Sequence, residues 1–194
     1  MSRETQPREF DFTLVLSGLS AADRDAEEKL FNSGCDDATL SFRSGRPFVT
    51  FTRAAASLKD AILSAIEDVK KAGFDVLRVD VCDLVTQSDI ARRIGLSRQR
   101  VNQYILGLRG PLGFPPPACN ITDNHPLWYW CEVAHWLYQN DMIREDVLNE
   151  ALEVAVINSV LGMKYHKRLA PDLLREMICA LVDQGTFLSP PCCP

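Results

Sequence analysis

An alternation of capping residues and glycines between residues 84 and 109 constrains this chain more than any other feature. Thr86 is a good N-cap, and residues 87–94 follow as a short helix with Asp89 in its first turn, where a carboxylate complements the helix dipole. Gly95 tolerates the positive φ that ends a helix, and Ser97 caps a second one. The three residues 95–97 therefore predict a tight turn between two helices that cross steeply. Ala91 is small where they cross, and Ile90, Ile94, Leu96, Val101 and Ile105 fall on the inner faces as a shared core.

The outer face of the second helix, residues 97–106, is left with Arg98, Gln99, Asn102 and Gln103, with Ser97 and Arg100 at its start. Gln and Asn can pair bidentately with adenine, and Arg with guanine O6 and N7 or with a phosphate. The free N–H groups at Ser97 suit a phosphate as well. An ordinary helical hairpin with a solvated polar face is the plain alternative. The small residue, the glycine, the core and the polar readers all fall where a helix-turn-helix needs them, and this favours DNA. Charge agrees. The chain carries a net charge of −5, but residues 84–113 hold Arg92, Arg93, Arg98, Arg100 and Arg109 against Asp89 alone. Residues 1–83 hold eleven basic against fifteen acidic residues and residues 114–194 five against ten, so the one basic stretch coincides with the motif.

Residues 84–101 resemble the helix-turn-helix of bacterial transcription regulators. Arg109-Gly110-Pro111, Phe114-Pro115, and Trp128, Trp130, Val133 and Trp136-Leu137 are similar to the wing and following helix of excisionase and mercury-regulator-type winged helices. The resemblance covers residues 83–139 only. It implies a recognition helix in the major groove and a wing on the backbone, with Arg109 on a phosphate or in a minor groove. The chain departs by lengthening the wing and loading it with proline. Thr86 and Gln87, at the start of the first helix, complete the candidate DNA-facing set.

Ahead of this motif, residues 10–16 alternate as a strand, and residues 20–31 carry helix spacing with Ser20 as N-cap and Gly34 as stop. Residues 38–42 and 47–51 alternate on either side of Ser44-Gly45, the signature of a hairpin. Residues 57–72 place Leu58, Ala61, Ile62, Ala65, Ile66 and Val69 on one stripe, and residues 76–81 read as a last strand. The order βαββαβ predicts a ferredoxin-like unit. The expected fold class is thus α+β: a ferredoxin-like domain over 1–82, a winged helix-turn-helix over 83–139, and a helical extension over 140–194 that ends in a disordered Pro/Cys tail. Helices are expected over 128–138, 144–166 and 171–182. Residues 150–161 are apolar on more than one face, which suits either packing on the body or a homodimer.

Other chemistries are poorly served. No apolar run approaches the length of a membrane span, and the N-terminus has no signal-peptide core, so a cytoplasmic protein without a membrane partner is expected. Seven cysteines, an odd number without framework spacing, fit reduced thiols. Cys119, His125, Cys131 and His135 are metal-capable, but their spacing is wrong for a zinc finger, and core cysteines with surface histidines fit better. Trp128, Trp130 and Trp136 fit a small core better than a base-stacking platform. No nucleophile elbow, phosphate loop or paired carboxylates appear, so neither an enzyme nor a cofactor is expected. Two readings remain: a dimeric, sequence-specific regulator of double-stranded DNA, and an antitoxin-like interaction protein whose acidic N-terminal half neutralises a protein partner.

Overall fold

The computed structural model describes residues 8–20, 23–81, 83–122 and 125–181. The fold is α+β, with seven helices among the described residues. The N-terminal unit runs β1 (Arg8–Ser17), α1 (Ala26–Asn32), β2 (Ala38–Arg43), β3 (Arg46–Ala55), α2 (Leu58–Lys71) and β4 (Asp75–Val79). Its strands form one antiparallel sheet in the order β2-β3-β1-β4. Alternation builds this sheet: Phe10, Phe12, Leu14 and Leu16 of β1 and Val49 and Phe51 of β3 all point to one face and are buried. The α2 stripe of Ala61, Ile62, Ala65, Ile66 and Val69 is buried against them, with Ser57 accepting from Asp60 N as its cap. Ser44 and Gly45 both take positive φ (50° and 77°), as a two-residue hairpin turn requires.

The first helix departs from expectation. It begins at Ala26 with Asp25 at the N-cap, because Ser20 is held in a preceding turn where its N–H donates to Asp23 Oδ2 at 2.8 Å. Arg53 is the buried cation that the pattern did not foretell. Its guanidinium donates to both Asp37 oxygens, to Asp68 Oδ2 at 2.9 Å, to Ser64 and to the Gly34 carbonyl. Every partner is polar, so the charge is compensated where it is buried.

The second unit comprises β5 (Leu84–Val85), α3 (Gln87–Arg93), α4 (Arg98–Ile105), β6 (Trp128–Tyr129) and α5 (Trp130–Gln139), followed by α6 (Glu145–Leu169) and α7 (Pro171–Leu181). The helix expected over 128–138 therefore starts later, because Trp128 and Tyr129 pair with Val85 and Leu84 as strands. Its core is Val85, Ile90, Ala91, Val101, Tyr104, the three tryptophans, Val133, Ala134 and Leu137. Both cores share α6: Leu148 and Ala151 enter the second, Val154 and Leu161 the first.

Asn158 ties the units together. It takes the place of a strand on the edge of β4, accepting from Val79 N at 2.8 Å and donating to Val79 O at 3.2 Å. The same amide nitrogen reaches the Asp83 carboxylate, whose backbone carbonyl accepts from Trp130 N at 2.7 Å. Sheet edge, linker, α5 and α6 thus meet at one residue. No helix among the described residues is long and apolar enough to cross a membrane.

Candidate nucleic-acid interface

Local chemistry defines the α3–α4 pair. Thr86 Oγ1 accepts from Asp89 N while the Asp89 side chain accepts from Thr86 N, a reciprocal capping box at the start of α3. The Thr86 bonds hold the Asp89 carboxyl below its ordinary value. At the other end Gly95 adopts φ 66°, and Leu96 N donates to Ala91 O at 2.9 Å, closing a Schellman motif that stops the helix. Ser97 then accepts from Arg100 N as the cap of α4. Ile90 and Val101 are fully buried at the crossing, and Ile94 and Ile105 half-buried. Leu96 corrects the expected core: it lies in the turn and is exposed, and Tyr104 fills the inner face instead.

The candidate readers divide by what they already bond. Gln99 and Asn102 are exposed with Arg98 on the outer face of α4, and Gln103 is half-buried at its margin. Thr86 and Ser97 are spent on caps, and Gln87 Nε2 bridges to the Arg98 carbonyl at 2.8 Å, so these three shape the helix pair. The five arginines differ in their freedom. Arg92 pairs with Asp89, Arg93 stacks 4.7 Å from the Trp130 ring centroid, and Arg100 donates to Tyr104 Oη at 3.0 Å. The side chains of Arg98 and Arg109 have no protein partner among the described residues and stand exposed. Leu106, 59% exposed, extends the outer face by one turn beyond Asn102. Its spacing of four from Asn102 and eight from Arg98 places it on the same side of the helix.

The segment after α4 is a pinned loop. Residues 107–117 contain no strand, because four prolines and three glycines between 107 and 117 disfavour a ladder. The indole N–H of Trp136 donates to Leu112 O at 3.1 Å and that of Trp128 to Pro115 O at 3.1 Å, and Phe114 sits edge-on to both rings. Gly110 takes φ 88° with its α-carbon so close to Tyr104 that a β-carbon would lie 2.5 Å from the ring. The loop holds Arg109 beside the C-terminus of α4, with Leu108 and Leu112 exposed next to it. Antiparallel pairing occurs further on, where Cys119 bridges Leu127 beside β6.

The remaining candidates are placed plainly. All three tryptophans are buried in the second core. Cys119 and Cys131 are half-buried and unpaired, and His125 and His135 are exposed, His135 bonding Gln139; no group of three metal-capable side chains occurs among the described residues. Burial pushes the Cys131 thiol up, away from the thiolate that a metal would need. Cys192 and Cys193 lie outside the described residues. No protein-family model matches the chain, and no curated protein or solved structure matches it either, so its functional reading rests on the geometry of the helix pair.

Proposed function

We propose that this chain is a regulator that reads double-stranded DNA, placing α4 in a major groove. The observation that carries this reading is the outer face of α4. Arg98, Gln99 and Asn102 stand together, exposed and unspent, on a helix whose other face is locked into a core. In this reading Gln99 and Asn102 contact base edges, and Arg98 and Arg109 grip phosphates on either side. In this reading the pinned loop that carries Arg109 takes the place of the wing, and the single bridge between Cys119 and Leu127 lies beyond it, next to β6. The N-terminal unit is read as ferredoxin-like from its βαββαβ order.

A homodimer belongs to the same reading. α7 buries none of its residues, and α6 exposes Val156 and Val160 one turn apart on the side away from both cores. A second copy covering this stripe would set two α4 helices on half-sites of a duplex. Fluorescence anisotropy against the chain's own upstream DNA and a scrambled duplex, across a salt series, tests the proposal. Tighter binding to the native duplex with a steep salt slope is expected. Equal, weak binding to both would defeat it.

A further inference from the structure

The sheet of the N-terminal unit has one face under α1 and α2 and another that the helices leave open. Strand register fixes which side chains share that open face. One row across the sheet reads Ser41, Phe48, Val15, Arg78; the next toward the hairpin pairs Arg43 with Arg46; the next the other way pairs Thr39, Thr50 and Thr13. Phe48 therefore has Arg46 two residues along its own strand, about 7 Å away, and Arg78 two strands across, about 10 Å away. Thr13 and Thr50 bond each other at 3.1 Å, so their hydroxyls are engaged with one another.

Of these, Thr13, Val15, Arg43, Arg46, Phe48 and Arg78 line an open cavity of about 610 Å³. Its charge is unbalanced: Asp80 is the sole carboxylate in the lining and pairs with Arg78 at 2.7 Å. Arg43 and Arg46 have no carboxylate partner among the described residues, and both are exposed. A chain with net charge −5 thus keeps two uncompensated guanidiniums at one end of a pocket. The pocket's one aromatic ring, Phe48, is half-buried and has no aromatic partner among the described residues, and its neighbours Ser41, Val15 and Thr50 are short. Guanidinium pairs select phosphate or carboxylate, and a ring among short side chains offers a stacking platform. The volume suits one small ligand.

We infer that the open face of the sheet binds a small phosphorylated ligand with a flat ring, of nucleotide size, its ring on Phe48 and its phosphates on Arg43 and Arg46. Arg78 and Arg46 also line the adjoining cavity that reaches Asp83, Leu84 and Asn158, so the site borders the joint between the two units. This site is independent of the DNA interface on α4.

Isothermal titration calorimetry of the full chain with adenosine triphosphate, adenosine, inorganic tripolyphosphate and a twelve-residue thymidine oligonucleotide tests the assignment. The nucleotide is expected to bind at least tenfold more tightly than adenosine or tripolyphosphate alone. The double substitution Arg43→Ala/Arg46→Ala, on exposed residues outside the core, should lower that affinity at least tenfold. Phe48→Leu should lower it about tenfold and Phe48→Tyr should retain it, separating stacking from folding. Arg98→Ala, on α4, should leave it unchanged. No saturation below millimolar nucleotide, a loss that follows Arg98 instead of the hairpin, or preference for the oligonucleotide over the mononucleotide would overturn the inference.

Discussion

At the residue scale, the surface of α4 separates side chains that are free from side chains that hold the helix pair together. The side chains of Gln99 and Asn102 have no hydrogen-bond partner among the described residues, so in the proposed reading replacing either with Ala should cost about 1–3 kcal/mol on the preferred duplex and relax base choice there, measured by anisotropy on single-position DNA variants. A uniform loss on every sequence would contradict base reading. Arg109 lies on a loop and faces solvent, so Arg109→Ala should weaken binding evenly and reduce the salt slope by about one. Gly110 has a different role. A β-carbon there would press into the Tyr104 ring, and its φ of 88° suits no side chain, so Gly110→Ala should destabilise the fold by roughly 1–3 kcal/mol in denaturant titrations. The periodicity of the second helix already placed Arg98, Gln99 and Asn102 on its exposed face. It did not announce Tyr104 as core, because an aromatic with a hydroxyl fits either face until Arg100, Trp136 and Gly110 are seen around it.

At the element scale, the two units are held by α6 and by the polar joint at Asn158. Burial raises the Asp83 carboxyl above its ordinary 3.8, more than the Asn158 bond lowers it. An acid raised in this way binds its proton more readily folded than unfolded. Its ionised form therefore costs stability at neutral pH, and that cost disappears as pH falls through the folded value toward 3.8. Asp83→Asn keeps an oxygen to accept from Asn158, so its melting temperature at pH 7 should equal or exceed the wild type. The advantage should shrink toward pH 4 in thermal melts. Asp89 runs the other way: held low by Thr86, it adds stability above 3.8 that is lost as pH falls through its lowered value. A melting temperature that dropped in Asp83→Asn would show that the joint needs the charge. Spacing alone marked α2, α3 and α4 almost to the residue, since each begins at a capping Ser or Thr. The start of α1 was misplaced because Ser20, the obvious cap, is engaged in a turn with Asp23.

At the scale of the whole molecule, the unburied side of α6 and α7 carries the dimer prediction. Val156→Glu/Val160→Glu places two charges on the exposed stripe without touching Val154 or Leu161, which face the first core. Sedimentation should show the wild type as a dimer and this variant as a monomer, with DNA affinity falling because half-sites are no longer coupled. A monomeric wild type would remove the dimer and leave the proposal for α4 standing.

The chain's own order of residues settled what is local. Caps, glycine stops and hairpin turns depend on neighbours three or four positions away, and apolar spacing marks which face of each helix or strand turns inward, so α3, the Gly95 turn and α4 were legible before any contact was known. Long-range partners decided the rest. Trp128 and Tyr129 became a strand because Leu84 and Val85 lie beside them, and residues 107–117 became a pinned loop because two distant indoles capture its carbonyls. Arg53 was tolerated in a buried place because Asp37 and Asp68 converge on it. The three arginines near Phe48 became one site only when hairpin and sheet register brought Arg43, Arg46 and Arg78 to the same face, a relation that sequence distance conceals.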